Sequence, residues 1–409
     1  MSAEPRSQDN QIMSGHLSVI VARSYKGLLP YTQELTELAA NAIEPNIFYE
    51  PWMLLPALES YSANKKLFLI LVFATGKTSN EKPVLCGFFP LERRLFYRGL
   101  PIPSLTLWRY PYSFLSTPFI HKDFAYEVCR AFFVWVRTGQ RAPLLELPQL
   151  SVDGPVDEIL KTVMLQDDNV KLIDHRFDRA LFRPRLNAEK YLAGSLSKKT
   201  RGELRRLQRR LSEIGELTCD VLEHERDLDL WMNEFVQLEA SGWKGRRGTA
   251  FKSNPVDWNF FRTICLLAFK NKKLMMLALR LNQRPIAMKC NFLTADGGYA
   301  FKIAFDENYR RFSPGVLLEL ENIRKLHSNS SIRWMDSCAT PDHFMINRLW
   351  LDRKPMCTLL VSTRHIIGDF IVDIVPMLKR FKTWYSPRLA GWKNYLRDIQ
   401  LLLCIVFMH

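Results

Sequence analysis

The sequence predicts an α/β (α+β) protein made of two similar mixed-sheet units in tandem, joined by a basic helix and followed by a helical C-terminal tail. The first observation is an order of helix, strand, turn and strand that occurs twice. It reads "NIFYEPWMLLPAL", "KKLFLILVF" and "PVLCGFFPL" in the first half, and "NFFRTICLLAF", "KKLMMLALRL" and "PIAMKCNFL" in the second. The second observation is a longer helical stretch further on in each half, at 124–137 and 316–327. Two such matches in the same order indicate a duplicated unit.

The length of 409 residues is typical of two or three domains, and 47% apolar residues exclude a disordered chain. We expect a polar tail over 1–16, an N-terminal unit over 17–185, a C-terminal unit over 186–363 and the helical tail over 364–409.

The net charge of +15 favours an anionic partner, which includes nucleic acid, a phospholipid surface and a phosphate-rich small molecule. The eight cysteines are scattered and contain no CxxC pair, and the histidines lack metal-ligand spacing. The N-terminus has no signal-peptide pattern, and the apolar run 401–408 is too short to span a bilayer. We therefore expect a cytoplasmic protein without a bound metal, with peripheral attachment at the inner membrane as the alternative location.

The basic helix is predicted between Lys198 and Arg210, where leucines recur at helical spacing at Leu204, Leu207 and Leu211. Its charge is compatible with nucleic acid, an anionic membrane or an acidic polymer. Because no aromatic residues are interleaved for base stacking, a solvated connecting helix is favoured over these.

A strand and a helix start follow each other at 299–316. Bulky apolar residues alternate with Ala300, Lys302 and Ala304 from Tyr299 to Phe305, which is the period of a strand. Ser313 is then a suitable N-cap, Pro314 suits the first helical position and Gly315 exposes backbone N–H groups. A glycine at a helix start after a strand can bind an anion, and Arg310 and Arg311 add charge to it. On spacing alone, an ordinary capped helix with two solvated arginines is the favoured interpretation.

Two further stretches carry candidate chemistry. In "EASGWKGRRGT" (239–249), Trp243 could form a wall for a substrate, while Lys244, Arg246 and Arg247 could bind an acidic group. The alternative is a surface loop held by one tryptophan. Candidate general bases are Asp306, Asp336 and His343, whereas Asp342 is predicted to cap a helix.

Four stretches resemble the GNAT superfamily of acyl-CoA-dependent acyltransferases, and within it the bacterial cellulose-biosynthesis-type (CelD-like) branch. They are "LSKKTRGELRRLQRRLSEIGEL", "LEASGWKGRRGTAF", "FKIAFDENYRRFSPGVLLELENI" and "MDSCATPDHFMINRLWLDR". Together they cover most of the chain from about 190 to 355, and the N-terminal half resembles the family more loosely.

The resemblance implies two GNAT-like units, with the pantetheine arm of acyl-CoA held between two diverging strands of the second. The implied donor-binding residues are Ala304, Arg310, Arg311, Phe312, Ser313, Pro314, Gly315 and Val316. Those implied for the acceptor, in a cleft between the units, are Glu239, Trp243, Lys244 and Lys302. The pyrophosphate loop departs from the usual Q/R-x-x-G-x-G/A pattern by having one glycine. No tyrosine lies between Tyr309 and Tyr385 to act as the general acid.

The implied reaction moves an acyl group from acetyl-CoA or another acyl-CoA to an amine or hydroxyl. A sugar or an envelope-polysaccharide precursor is the family-level acceptor. Two alternatives stay open. The first is a protein that binds nucleic acid, either a Fem-type transferase that uses aminoacyl-tRNA or another binder working through the 198–210 helix. The second is a non-catalytic scaffold for polysaccharide synthesis.

Overall fold

A computed structural model describes residues 16–75, 82–139, 142–166, 171–185 and 187–385. The predicted polar tail, apart from its last residue, and the apolar run 401–408 lie outside the described residues. Strands and helices alternate through the rest of the chain, which confirms the α/β class. No helix in the described ranges combines the length and the apolar character that crossing a membrane requires.

The strands are β1 (Leu17–Ala22), β2 (Lys66–Ala74), β3 (Val84–Arg94), β4 (Ser104–Leu107), β5 (Phe119–Ile120), β6 (Leu144–Ser151), β7 (Lys171–Phe182), β8 (Leu217–Val221), β9 (Leu274–Leu281), β10 (Arg284–Leu293), β11 (Gly297–Phe305), β12 (Trp334–Asp336) and β13 (Asp352–Ser362). The α-helices are α1 (Tyr25–Leu28), α2 (Thr32–Asn41), α3 (Pro51–Tyr61), α4 (Ala125–Thr138), α5 (Pro155–Gln166), α6 (Ala188–Ser195), α7 (Lys198–Ser212), α8 (Glu225–Ser241), α9 (Trp243–Arg246), α10 (Pro255–Lys270), α11 (Pro314–Ser328), α12 (Phe344–Leu349) and α13 (Ile366–Tyr385).

The chain forms two compact units. Unit 1 consists of Met1–Arg176 and Met356–His409, and unit 2 consists of Phe177–Pro355. The sequence placed the boundaries at 185/186 and 363/364, whereas the chain passes between the units inside β7 and inside β13. Unit 2 is therefore inserted into unit 1.

Unit 1 has the strand order β1-β2-β3-β4-β6-β13, with β5 beside β3. β4 and β6 are parallel, and the other neighbours are antiparallel. Helix α4 buries its apolar face on this sheet, where Phe132 stacks on Phe89 with ring centroids 4.0 Å apart. A second apolar cluster of unit 1 forms where Ile371 and Val375 of α13 are buried with Leu144 and Leu360.

Unit 2 repeats this arrangement. Its strand order is β8-β9-β10-β11-β12-β7, and β11 and β12 are its parallel pair. The predicted duplication is thus confirmed by topology, because α4 and α11 both connect the two strands of the parallel pair. The last strand of each sheet comes from the chain segment that follows the other unit's helix. β7 follows α5 of unit 1 but pairs with β12 of unit 2. β13 follows α12 of unit 2 but pairs with β6 of unit 1.

The basic helix α7 is part of unit 2. Ser197 caps it by accepting a hydrogen bond from the N–H of Thr200, and Leu204 and Leu211 are buried in the core of this unit. The helix also contacts the short 3-10 helix Glu307–Phe312, which follows β11. Its position is therefore set by apolar packing, and its charges occupy the remaining faces.

The predicted alternation of β11 is interrupted by a β-bulge. Asn291 of β10 lies opposite Ala300 and its neighbour Cys290 lies opposite Lys302, so Phe301 is an extra residue on β11. The side chains of Phe301 and Lys302 consequently lie on the same side, and both contact Phe251. A strictly alternating strand would have placed them on opposite faces.

Candidate functional site

Strands β11 and β12 separate after a short parallel contact. Their pairing covers Gly297↔Trp334, Gly298↔Met335 and Tyr299↔Asp336, and β12 ends there. β11 continues to Phe305 with β10 on its other side. The bulge at Phe301 falls within this continuation, and bulges are common beside active sites. The result is a strand edge that β12 does not cover, in the position where the sequence predicted a diverging pair.

The start of α11 differs from the predicted capped helix. Ser313 occupies the N-cap position, but its backbone is left-handed (φ 53°, ψ 49°) and its side chain makes no capping hydrogen bond. Its carbonyl instead accepts hydrogen bonds from the N–H groups of Val316 and Leu317. Pro314 is at the first helical position, as predicted, and has no N–H. Gly315 is thus the residue whose N–H remains without an acceptor among the described residues, so the predicted anion site has fewer backbone donors than expected.

The charged groups beside this helix start are accessible. Arg310 and Arg311 are exposed, and the Arg311 guanidinium lies over the ring of buried Phe312 at 4.7 Å. Gly315 is buried against β11, since a methyl group added there would meet Phe305 at 3.5 Å. Of the predicted donor-binding residues, the arginines therefore offer charge to solvent, whereas Phe312, Pro314 and Gly315 are mainly packed.

Three of the predicted substrate-binding residues come together around Glu239. Its Oε1 accepts hydrogen bonds from Lys244 Nζ (3.1 Å) and Lys302 Nζ (3.0 Å), and its Oε2 accepts one from the N–H of Phe251 (2.9 Å). Burial alone would raise the pKa of Glu239, but the two ammonium groups hold it below its usual value. Burial lowers the pKa of Lys302, which Glu239 partly opposes. The carboxylate of Asp257 also opposes the lowering of the Lys302 pKa, so the cluster brings two ammonium groups together with carboxylates from Glu239 and Asp257.

The fourth predicted residue, Trp243, lies beside this cluster and is half exposed. Its backbone N–H donates to Glu307 Oε1 (2.8 Å), and Arg247 lies over its indole ring at 5.2 Å. A pocket with an empty volume of about 270 Å³ is formed by the segment around Trp243 and by the end of β11 from Ile303 to Phe305, including Ala304. Lys244 also donates to the carbonyl of Ile303 at 3.3 Å, which ties the segment to the strand edge. Arg246, a predicted anion binder, is instead paired with Glu307 at 2.8 Å.

Asp336 is completely buried at the end of β12. Its carboxylate lies 3.4 Å from both Arg179 Nη1 and Lys354 Nζ, and its Oδ1 accepts a hydrogen bond from the N–H of Cys338. Burial alone would raise its pKa, but these cations and the hydrogen bond lower it. A carboxylate held ionised in this way is a poor proton acceptor at neutral pH, so its geometry fits a structural role better than the predicted catalytic one.

The carboxylate of Asp306 is also held by structural contacts. It is the N-cap of the 3-10 helix Glu307–Phe312, where its Oδ1 accepts from the N–H of Asn308 (2.9 Å). Its Oδ2 lies 3.7 Å from Arg284. Both oxygens are therefore engaged.

His343 is the N-cap of α12 and is partly buried. Its Nδ1 accepts from the N–H of Ile346 at 3.4 Å, so the neutral ring carries its proton on Nε2. Burial, with a contribution from the charge of Lys289, lowers the pKa of His343 and favours this neutral form. Of the three candidate bases it is the one that makes no ion pair with a described residue.

A buried polar network near His343 was missed by the sequence interpretation. Lys289 on β10 pairs with Glu319 on α11, and Glu319 also accepts from Asn322 Nδ2 (2.9 Å) and Trp350 Nε1 (3.0 Å). Asn291 donates to Asn322 at 2.9 Å, and the oxygen of Asn291 has no partner in the described part of the chain. The available signal was the pair of polar residues in the otherwise apolar strand "PIAMKCNFL".

One comparison with known proteins, the family match, covers the region around this site. Residues 198–344 match the family model described as "Acetyltransferase (GNAT) domain". No curated protein matches the chain.

Three solved structures are similar over most of the chain. FemX has 10% identity, covers 81% of this chain and 95% of its own, and has a TM-score of 0.48. A conserved protein of unknown function from Bacteroides thetaiotaomicron has 10% identity, coverage of 82% and 97%, and a TM-score of 0.49. A tandem GNAT protein from the clavulanic acid biosynthesis pathway has 10% identity, coverage of 85% and 99%, and a TM-score of 0.42. Over residues 198–344, which lie in unit 2, this chain is thus similar to the acetyltransferase (GNAT) domain family.

Proposed function

We propose that this protein transfers an acyl group from acyl-CoA to an amine or hydroxyl, with the donor bound by unit 2. The observation that carries the proposal is the divergence of β11 from β12 after Tyr299 and Asp336, followed directly by a short 3-10 helix and the start of α11. An extended arm with amide groups can hydrogen-bond to an open strand edge in the way an added strand does. The family match over the same residues supports this assignment.

The residues present fit the two ends of such a donor. The small side chain of Ala304 leaves room beside the strand edge for a thin arm. The Gly315 N–H and the exposed Arg310 and Arg311 can bind phosphate groups, with charge from the arginines compensating for the small number of backbone donors.

In the described part of unit 1, the corresponding position is occupied by side chains. Its counterpart of β11 is the short strand β4, and the segment after β4 is filled by its own aromatic side chains. Trp108 and Tyr110 are buried there, and the hydroxyl of Tyr110 donates to the carbonyl of Phe48 at 3.1 Å. Unit 2 is thus the better candidate for the donor.

The acceptor is proposed to bind beside Trp243. The ammonium groups of Lys244 and Lys302 favour an acceptor with an acidic group, and the half-exposed indole offers a flat surface for a sugar ring. A sugar or an envelope-polysaccharide precursor that carries a carboxylate or phosphate group meets both requirements, in keeping with the CelD-like resemblance.

In the proposed reaction the lone pair of the acceptor attacks the thioester carbon, the carbon–sulfur bond breaks and the CoA thiolate leaves. The acceptor loses one proton and the thiolate gains one. The carboxylates of Asp306 and Asp336 are occupied by structural contacts. We therefore assign the transfer of the acceptor's proton to His343 together with solvent. The backbone of β11 near the bulge would contribute by positioning the thioester and polarising its carbonyl.

The test is calorimetric titration with acetyl-CoA and longer acyl-CoAs, using the wild type and the double variant Arg310→Glu/Arg311→Glu. Both arginines are exposed, so the variant should fold. A matched control is Arg226→Glu/Lys270→Glu, which makes the same charge change at exposed positions of unit 2. We expect micromolar binding that the first variant loses and the control retains.

Turnover is then measured as thiol release with amino sugars and acidic sugars as acceptors. If no acyl-CoA binds but an aminoacyl-tRNA does, the Fem-type alternative replaces the proposal. If acyl-CoA binds and no acceptor supports thiol release, the scaffold alternative gains support.

A further inference from the structure

Helix α7 carries arginines with two different environments. On one face, Arg206 is paired with Glu203 (Nε to Oε2, 2.9 Å) and Arg209 lies 3.8 Å from Glu213. On another face, Arg201 and Arg205 are four residues apart and have no carboxylate partner within the described ranges. The Nε of Arg201 is also buried without a hydrogen-bond partner. The paired arginines form an ordinary solvated face, whereas Arg201 is partly buried and lies one turn from the exposed Arg205.

Arg201 and Arg205 line a depression between α6, α7 and α11 with an empty volume of about 430 Å³. Its floor is apolar and is formed by Leu192, Leu196, Leu204 and Leu320. At its far side, Arg324 is already satisfied by Glu189 and Glu321. The depression therefore combines two guanidinium groups that make no ion pair with a described residue with an apolar surface that water solvates poorly, and the one carboxylate of its lining, Glu189, is paired with Arg324.

This depression lies further along α11 than the residues of the proposed donor site. Leu320 lies five residues after Gly315 on α11, which corresponds to about 8 Å along the helix. Among the described residues, no aromatic side chain lines the depression, so the stacking surface that single-stranded nucleic acid uses is not found there. Its concave form with an apolar floor also differs from the extended phosphate track of a nucleic-acid groove.

We propose that this depression binds a phosphate ester that carries an apolar chain. The phosphate would be held by Arg201 and Arg205, and the first part of the chain would cover the leucines. Such a ligand could come from a membrane lipid or from a soluble amphiphile, and the two sources share the same chemistry.

The test uses dihexanoyl phosphatidic acid as a soluble probe, measured by calorimetry on the full chain. The variant is Arg201→Gln/Arg205→Gln, and the matched control on the same helix is Arg206→Gln/Arg209→Gln. We expect the first variant to lose about tenfold or more in affinity, because each charge-assisted hydrogen bond is a substantial part of such binding. The control should bind like the wild type, and glycerol phosphate should bind much more weakly than the probe.

Flotation with phosphatidylcholine vesicles, with and without phosphatidic acid, distinguishes the sources. Association that needs phosphatidic acid and is lost in the first variant identifies a lipid, and binding of the soluble probe alone identifies a soluble ester. The proposal is overturned by equal losses in both variants, by glycerol phosphate binding as tightly as the probe, or by no binding of the probe. It is also overturned if acetyl-CoA competes with the probe, or if an RNA oligonucleotide depends on Arg201 and Arg205 more strongly than the probe does.

Discussion

Lys244 and Lys302 share one oxygen atom of Glu239, with Nζ–Oε1 distances of 3.1 and 3.0 Å. Glu239 is nearly completely buried and contacts both cations, while Asp257 adds a further negative charge that acts on Lys302. The cluster joins α8, the segment around Trp243 and β11, and thus links the stability of unit 2 to the geometry of its pocket.

We therefore expect Glu239→Gln to destabilise the protein by on the order of 3 kcal/mol, because it removes the buried carboxylate to which both ammonium groups donate. Urea unfolding measures this change. Glu203→Gln removes an exposed carboxylate of the same unit and should leave the unfolding midpoint unchanged. An unchanged midpoint in Glu239→Gln would show that the lysines reach solvent instead.

The second prediction concerns acid stability and Asp336. Because its pKa is lowered in the folded state, its contribution to stability is complete above the unfolded pKa near 3.8 and is lost as the pH falls through the folded pKa. Asp336→Asn should thus cost about 3 kcal/mol or more at neutral pH and show a smaller further loss below about pH 4. Chemical unfolding across this pH range tests the slope, with Asp342→Asn as an exposed control. Parallel curves for the wild type and Asp336→Asn would contradict the prediction.

The third prediction separates the two roles of His343. Asparagine is also a favourable N-cap, so His343→Asn should keep α12 folded while it removes the titratable ring. We expect thermal stability close to that of the wild type and a turnover number lower by about a hundredfold. The pH–rate profile should also lose an inflection below pH 6.5, because burial lowers the pKa of this ring. A profile identical to that of the wild type would exclude His343 from proton transfer.

The fourth prediction compares two glycines with opposite surroundings. A methyl group at Gly297 would lie 2.2 Å from Trp334 Cε2, beside the paired start of β11 and β12, whereas Gly202 in α7 has no atom within 4 Å of that position. Gly297→Ala should therefore destabilise the protein by about 1–3 kcal/mol, and Gly202→Ala should stabilise it by about 0.5–1 kcal/mol. Thermal melts of both variants test the contrast. A stabilised Gly297→Ala would mean that Trp334 can move away without cost.

Features set by local pattern could be predicted from the sequence. The stretch predicted as helical at 316–327 lies within α11, and the basic helix is found where its leucines recur. Glu239 and Lys244 were selected from one stretch and Lys302 from another, and the three do come together.

Features set by long-range pairing could not be predicted in this way. The bulge at Phe301 depends on the register with β10, so the faces predicted for Phe301 and Lys302 were wrong. The cap predicted for Ser313 failed because its backbone is left-handed, which the identity of a serine does not reveal. The pair of Lys289 and Glu319 lies in two apolar stretches whose contact exists only in the folded unit.

The insertion of unit 2 within unit 1 has a consequence for synthesis on the ribosome. The sheet of unit 1 needs β13, which ends at Ser362, whereas every strand of unit 2 has been translated by Asp336. Since domains generally fold as units while the chain emerges, unit 2 can close first although it is second in the sequence. Until β13 has been translated and pairs with β6, the β6 edge of unit 1 stays open and offers a binding site for chaperones.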